Sequence, residues 1–386
     1  MEHVYLDNAA TTPMAPEVIT EMTTQMQNDF GNASSTHWFG RQAHTVMDQS
    51  RLILANSINA KPNDIIITSG ATESNNTALM QTAHTRQNLG KHIITTAIEH
   101  PSILRPLEAL EAEGFRVTYL PVNDQGVIDL ADFDAALDDD TILVTIMFGN
   151  NEVGSRMPIE AIGERLINHQ AWFHTDATQA YGLLDIDVQA MHIDMLSVSA
   201  HKINGPKQIG FLYRGPKIYF PSFIRGGEQE MKRRAGTESV VQVAGFAKAV
   251  SLITPEVKAE RQARYFAFKQ QLMARLNAAD IEFAVNGSLN PDNLNHVFNL
   301  WFKGISTYAL QTNLDLAGFA ISGGSACTAG SLEPSHVLTA MFGEASPRIG
   351  ESIRTSFGHE TTAEQIDAYA DALIRIINRI KTKANA

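Results

Sequence analysis

The sequence predicts an α/β protein in which a large domain, built on a mostly parallel seven-stranded sheet, carries a smaller α+β domain beside it. Two observations lead there. Between Asp64 and Arg214, β-rich apolar runs alternate with helical patterns, and 386 residues are more than one ordinary core accommodates. The runs are Ile65–Thr68, His92–Thr96, Val117–Leu120, Ile142–Met147, Trp172–Thr175, Met195–Ser199 and Gly210–Tyr213, each of strand length and most of them rich in β-branched or aromatic residues. Helices are predicted between them, such as Pro101–Glu113 and Pro158–His169. The second opens on a proline and sets Ile159, Ile162, Leu166 and Ile167 on one face. The charged, alanine-rich stretch Pro255–Asp280 reads as a connecting helix. Shorter strands and helices follow, and an amphipathic helix over Thr362–Ile380 closes the chain. We expect residues 15–255 to form the large domain, and residues 1–14 with 256–386 the small one.

Composition narrows the function. At 44% hydrophobic and 19% charged residues the chain has neither the charge excess nor the apolar poverty of a disordered protein, so it folds. A net charge of −12 opposes direct binding to a nucleic-acid backbone, although the short basic run Lys232-Arg233-Arg234 can touch one through a partner. The N-terminus lacks the pattern of a signal peptide and no apolar run reaches the length of a membrane span, so a cytoplasmic location is expected. One cysteine, Cys327, can form neither an internal disulfide nor a multi-thiolate zinc site, and no metal centre is expected. A lone thiol is either idle or specialised.

Several segments carry candidate chemistry. Ser199-Ala-His-Lys202 follows a strand and enters a Gly-Pro turn, which puts Lys202 where a sheet edge passes into a loop. An amine there can form a Schiff base with pyridoxal phosphate while Ser199 and His201 bond the phosphate, although an isolated lysine is more often a solvated surface group. His174-Thr-Asp176 ends an apolar strand in an acid, whose burial needs a cationic partner. A protonated pyridine nitrogen is such a partner, and Gln179 is placed to bond the ring hydroxyl. Standing alone, Asp176 serves equally as a helix cap. In Ile65-Ile-Ile-Thr-Ser-Gly70-Ala71-Thr72 a strand turns on glycine into a helix start, whose N–H groups and Thr72 hydroxyl suit an anion, as ordinary capping also would.

His100, in Glu99-His100-Pro101, can stack on a flat cofactor and exchange a proton with substrate, or be structural. Asn151, after the run ending at Met147, can bond a cofactor hydroxyl or a substrate carboxylate, or close an Asx turn. Arg354, in Ser352-Ile-Arg354-Thr-Ser, suits a bidentate clamp on an α-carboxylate, with a surface ion pair as the alternative. Cys327 lies in ten small residues, Ser322 to Ser331, with no large apolar neighbour, which predicts a thiol on a mobile loop that can swing into a cleft.

Together these segments resemble the NifS/IscS-type cysteine desulfurases of the class V aminotransferase family. The resemblance runs from Tyr5-Leu-Asp-Asn-Ala-Ala-Thr-Thr-Pro13 through Gly70-Ala-Thr-Glu-Ser-Asn75, Glu99-His-Pro, Asn150-Asn-Glu-Val-Gly154, His174-Thr-Asp-Ala-Thr-Gln-Ala180, Ser199-Ala-His-Lys-Ile-Asn-Gly-Pro-Lys207, Arg233-Arg-Ala-Gly-Thr-Glu238 and Gly324-Ser-Ala-Cys-Thr328 to Ser352-Ile-Arg354. It implies the fold-type I architecture of pyridoxal-phosphate enzymes, with Lys202 holding the cofactor covalently, His100 stacked on its ring, and Asp176 and Gln179 on its polar edge. The phosphate falls to Ala71, Thr72, Ser199 and His201, with Thr237 reaching over from a second subunit, so a homodimer is implied. The reaction takes sulfur from L-cysteine onto Cys327 as a persulfide and leaves alanine. Ser331-Leu-Glu-Pro334 matches the long-loop group, which hands sulfur to acceptor proteins such as an iron–sulfur scaffold or a tRNA-thiolating enzyme.

Ala33, Gln208 and Glu228 depart from the family pattern, the last two where glycine is usual. Gln208 is expected to alter the turn after Lys202, and Glu228 to put a charge near the subunit contact and phosphate. The chain ends at Ala386, short of the tail with which long members dock a scaffold, which favours a different sulfur carrier. Lys202 and Asp176 would equally serve a selenocysteine lyase or another class V aminotransferase, against which Cys327 and its loop argue. A non-catalytic partner subunit would lack the lysine or the thiol.

Overall fold

The computed structural model describes residues 3–323 and 334–384. The strands are β1 (Val4–Tyr5), β2 (Ile65–Thr68), β3 (His92–Thr96), β4 (Arg116–Leu120), β5 (Thr141–Thr145), β6 (Trp172–Asp176), β7 (Met195–Ser199), β8 (Gly210–Arg214), β9 (Ala284–Asn286), β10 (Val297–Trp301), β11 (Phe319–Ala320) and β12 (Ser352–Ser356). Seven of them form one sheet in the order β2-β8-β7-β6-β5-β3-β4, parallel except for β8, which runs against both its neighbours. The expected runs are therefore the strands of one mostly parallel sheet, with ends moved by a residue or two. Ile146 and Met147 leave the strand expected for them, and Asp176 joins β6.

Side-chain alternation explains why these runs read as continuously apolar. Ile65, Ile67, Ile94, Val144, Leu196, Val198, Phe211 and Tyr213 enter the core on one face. Their neighbours Ile66, Ile93, Leu143, Met195 and Leu212 enter the core on the other. Both faces are covered, the first by helices such as Trp38–Asn56 and Val240–Ser251, the second by Ala71–Arg86 and Pro101–Ala112. A sheet buried on both sides has no polar face to display.

A separate core gathers Phe298 and Leu300 of β10, Ile353 of β12, Phe268 and Leu272 of the helix Pro255–Ala278, Leu373 and Ile377 of the helix Ala363–Ala384, and Val4 and Leu6 from the N-terminus. The antiparallel sheet β12-β10-β9 lies within it, and β1 pairs in parallel with β11. Among the described residues no single helix is long and apolar enough to cross a membrane.

The free edge of β2 is covered by a buried ion pair. Arg51, on the helix Trp38–Asn56, meets the Glu230 carboxylate through two bonds of 2.7 Å and donates to the Ile65 carbonyl at 2.9 Å, while Glu230 accepts the Ile67 N–H at 3.0 Å. Edge groups that would otherwise await another strand are thus satisfied. Glu230, Met231 and Lys232 hold φ values of 49°, 55° and 65°, a left-handed run that costs roughly 1–2 kcal/mol per residue and persists because the pair anchors it. Glu228, by contrast, is exposed, and its carboxylate pairs with Lys232 at 3.0 Å on the surface. The consequential carboxylate of this segment is Glu230. We expect Glu230→Leu, which strands Arg51, to lower stability by about 3–5 kcal/mol in urea unfolding, with a loss under about 1 kcal/mol as the contrary result.

Candidate active site

A cavity of about 380 Å³ lies where β2, β3, β5, β6 and β7 end, the position at which open α/β sheets hold ligands. Ala71, Thr72, His100, Asn151, Asp176, Gln179, Ser199, His201, Lys202 and Arg354 all line it. Thr237 does not. It is exposed on the wall of a second cavity, of about 180 Å³, which shares Ser69 and Gln208 with the first. Cys327 lies outside the described residues.

Asp176 stands at the floor. Its side chain is 6% exposed, and it accepts the Asn75 amide at 2.7 Å and the Thr178 N–H at 3.0 Å. Both donors are neutral. A carboxylate so placed is poised for a cation, which a protonated pyridine nitrogen supplies. The Thr178 bond closes a turn, and no helix begins between β6 and β7, so the helix cap expected as the alternative for Asp176 is not formed. Asn75 bonds Ser102 Oγ at 2.9 Å as well, and Ser102 Oγ lies 2.8 Å from His100 Nδ1, which links the acid to the histidine. Behind His100, Glu99 is fully buried. Burial pushes its carboxyl up to about 8 despite bonds from the Met147 N–H and the Thr96 hydroxyl, with Asp176 adding to the rise. At neutral pH Glu99 is protonated and puts no second charge beside Asp176.

His100 caps the helix Pro101–Ala112, with Nδ1 accepting the Ser102 N–H at 3.1 Å. That bond leaves the ring proton on Nε2 in the neutral tautomer. Burial first, and Lys202 and His336 after it, lower the pKa of His100 against the pull of Asp176.

Lys202 closes the short turn Ala200–Lys202 after β7, and its Nζ donates to the carbonyls of Ala9 at 2.5 Å and Ala10 at 2.8 Å. The N-terminal segment therefore crosses the cavity wall and positions the amine. Gln179 donates its Nε2 to the same Ala9 carbonyl at 3.0 Å, and its Oε1 lies 2.9 Å from His296 Nε2. One amide hydrogen of Gln179 remains for a ring oxygen. His201 bonds Thr11 Oγ1 at 3.0 Å, and burial, with Lys202 and Lys207 beside it, lowers its pKa to about 4.

At the opposite end the helix Ala71–Arg86 starts on Gly70, whose φ of 141° suits glycine, and turns its first N–H groups towards Ser199. Glu73, in the first turn, would repel an anion were it not neutralised. It takes Arg234 Nε at 2.9 Å and the Ser69 N–H at 2.8 Å, and these outweigh burial to hold its carboxyl below the ordinary range. Gln208 adopts φ 61°, so the family's glycine is replaced by a side chain held in left-handed backbone at the junction of the two cavities.

Arg354 shows how the smaller core contributes. On β12, Ile353 turns into that core and Arg354 turns to the cavity. The guanidinium is 1% exposed, donates to Asp7 at 2.8 Å and to the Asn151 carbonyl at 3.0 Å, and leaves Nε buried with no partner among the described residues. Arg354 does pair with Asp7, but as a buried residue lining the cavity and not as the surface ion pair expected as the alternative. A buried guanidinium with an unsatisfied N–H beside the cavity fits a ligand carboxylate.

Asp7, Asn75, Ser102 and His296 were not singled out as site residues. Asn75 and Asp7 stand inside motifs, and Asn75 sits one helical turn beyond Thr72, a spacing that places both at the cavity end of the helix. Ser102 and His296 carry no sequence signal, because their partners lie 27 and 117 residues away.

An amine on a turn, a buried acid with neutral partners, a helix start and an open guanidinium are the fittings a pyridoxal phosphate and its amino-acid substrate need. The comparisons agree. The class-V aminotransferase family model matches residues 4–369. A Bacillus subtilis (strain 168) protein provisionally named cysteine desulfurase IscS 1 is 50% identical over 380 residues, covering 98% of this chain and all of that one. Among solved structures, a NifS-like protein superposes with a TM-score of 0.90 at 31% identity, covering 98% of this chain and 100% of the other. A structure of SspA in complex with cysteine does so with a TM-score of 0.79 at 35% identity, covering 92% and 98%. The chain belongs to the pyridoxal-phosphate-dependent class-V aminotransferase family, among the NifS/IscS-type cysteine desulfurases.

Proposed function

We propose that this protein is a cysteine desulfurase that converts L-cysteine to L-alanine and carries the sulfur as a persulfide on Cys327. The observation that supports it most is the convergence on one cavity of Lys202, Asp176 and the Arg354 guanidinium, whose Nε has no partner among the described residues. Bound pyridoxal phosphate supplies an electron sink for charge developing beside the substrate amino group. Lys202 would hold the cofactor covalently, and its amine, once freed, would take the Cα proton. Asp176 would pair with the ring nitrogen, Gln179 would donate to the ring oxygen and His100 would lie against the ring. Ala71, Thr72, Ser199 and His201 hold the phosphate. Arg354, with Asn151 beside it, binds the substrate carboxylate.

The Cys327 thiolate attacks the substrate sulfur. A sulfur–sulfur bond forms and the Cβ–S bond breaks, its electron pair staying with the carbon skeleton, which is then protonated at Cβ to give the methyl of alanine. No outside oxidant is needed. Residues 15–255 act as the cofactor domain, and residues 1–14 with 256–386 as the smaller domain bearing Arg354 and Cys327. A homodimer supplies Thr237 of the partner subunit to each phosphate site. The exposed rings Phe30, Trp38 and Phe39, packed 5.0–5.1 Å apart, support such a contact. A working thiol suits the reducing cytoplasm. The loop matches the group that passes sulfur to acceptor proteins, and delivery to a tRNA-thiolating enzyme is our reading, with an iron–sulfur scaffold as the other acceptor.

Purified enzyme given cysteine should yield alanine and, with added thiol, sulfide in equal amounts. Amino transfer to a keto acid without sulfide would contradict the reading. Lys202→Ala should lose the visible absorption band of the bound cofactor. Cys327→Ser should bind cofactor and cysteine but form no persulfide, and substantial alanine from it without added thiol would remove Cys327 from the reaction. Arg354→Ala should raise KM for cysteine by the equivalent of about 2–4 kcal/mol, and an unchanged KM would place the carboxylate elsewhere.

A further inference from the structure

We propose that His296 is a positioning residue for the cofactor: by donating its Nε2–H to Gln179 Oε1, it locks the Gln179 amide so that an N–H always faces the ring oxygen. This rests on the reading that places Gln179 against that oxygen. His296 immediately precedes β10, is 7% exposed, and does not line the main cavity. It lines a cavity of about 30 Å³ whose wall also includes Gln179 and Lys202, so it meets Gln179 from outside the reaction space.

The hydrogen-bond inventory fixes the orientation. The Ala9 carbonyl can only accept, so the Gln179 nitrogen, 3.0 Å away, must face it. Oε1 then faces His296 at 2.9 Å, and because a carbonyl oxygen also only accepts, His296 carries its proton on Nε2. Burial keeps the ring neutral, with Lys269, Lys202 and Arg354 adding to the effect, and its pKa falls to about 3. A neutral ring protonated at Nε2 has a bare Nδ1, and Nδ1 is buried without a partner among the described residues. An orphaned buried acceptor opposite a fully used donor marks a ring held in place for what Nε2 does.

Without that donor, Oε1 would be left unpaired in a buried site, and the Ala9 bond alone would hold the amide against turning its carbonyl to the cavity. There it would oppose the ring oxygen, acceptor against acceptor. The same Ala9 carbonyl takes Lys202 Nζ, so the amide and the amine that together bracket the cofactor share one anchor.

The test uses holoenzyme of the wild type, His296→Leu, His296→Gln, Gln179→Ala and the His296→Leu/Gln179→Ala double variant. Two quantities are read: the pH midpoint of the cofactor's visible band, and cofactor affinity on reconstitution of the apoenzyme. His296→Leu should move the midpoint upward by roughly half a unit to one unit, since an oxygen that loses a donor holds the proton of the Lys202 linkage more firmly. Affinity should fall about three- to tenfold. Gln179→Ala should match it, the double variant should add no more than about twofold, and His296→Gln, which keeps a donor, should restore both values. If His296→Leu changes neither quantity while Gln179→Ala changes both, the inference fails and the reading of Gln179 stands. If Gln179→Ala changes neither, both fail. Additive effects would also overturn the inference, as His296 would then act elsewhere. Should His296→Leu not fold, His296→Met takes its place and is read the same way.

Discussion

A buried carboxylate is the constraint on which the site depends. Asp176 ends the strand β6 inside the molecule, and the bonds it accepts from Asn75 and Thr178 are with neutral donors. Burial lowers the pKa of His174 despite the pull of Asp176, as it does for His100, and burial raises that of Glu99. A carboxylate held by neutral donors is poised for a cation, and in the reading proposed above the pyridine nitrogen of the bound cofactor would be that cation, its protonated form favoured by the acid.

The parallel sheet gathers the remaining groups. Strand ends β2, β3, β5, β6 and β7 all open on one rim, so residues far apart in sequence reach one space without any long side chain having to stretch. The smaller core adds Arg354 from β12, and the N-terminal segment ties the two parts together, with Ala9 and Ala10 on Lys202 and Asp7 on Arg354. The described residues flanking 324–333 are anchored at this same rim. Ser322 is bridged to Arg354 through backbone bonds of 2.7 and 3.1 Å, and Ser335 binds Glu152 at 2.5 Å. The chain that carries Cys327 thus leaves and re-enters beside the groups proposed to bind substrate.

Much of this was legible in the sequence, for a physical reason. Strands buried on both faces read as unbroken apolar runs, and the segments of Thr72, His100, Asn151, Asp176 and Lys202 follow or end them, so these motifs could be placed at strand ends from the sequence alone. Residues acting through a distant partner were not legible. Nothing in Asn-His-Val-Phe marks His296 as the support of Gln179, and Ser102 reads only as a helix start. Glu228 drew attention because it interrupts glycines, yet the residue that matters is Glu230, whose left-handed backbone and pairing with Arg51 depend on the edge of β2 being there to receive it. Gln208 was visible as a departure, but only the structure shows that its backbone takes a left-handed φ of 61°.

The central claim, that Asp176 works as the charged partner of the cofactor ring, is tested most directly by Asp176→Asn in the holoenzyme. This substitution preserves shape and hydrogen-bonding capacity while removing the charge. The rate to follow is exchange of the substrate Cα hydrogen with deuterated solvent, which isolates proton removal from sulfur transfer. Exchange should fall by roughly a hundredfold or more, the scale of losing a buried charged partner, while cofactor remains attached to Lys202. Exchange within about threefold of the wild-type rate would show that the charge of Asp176 is not what makes the ring an electron sink.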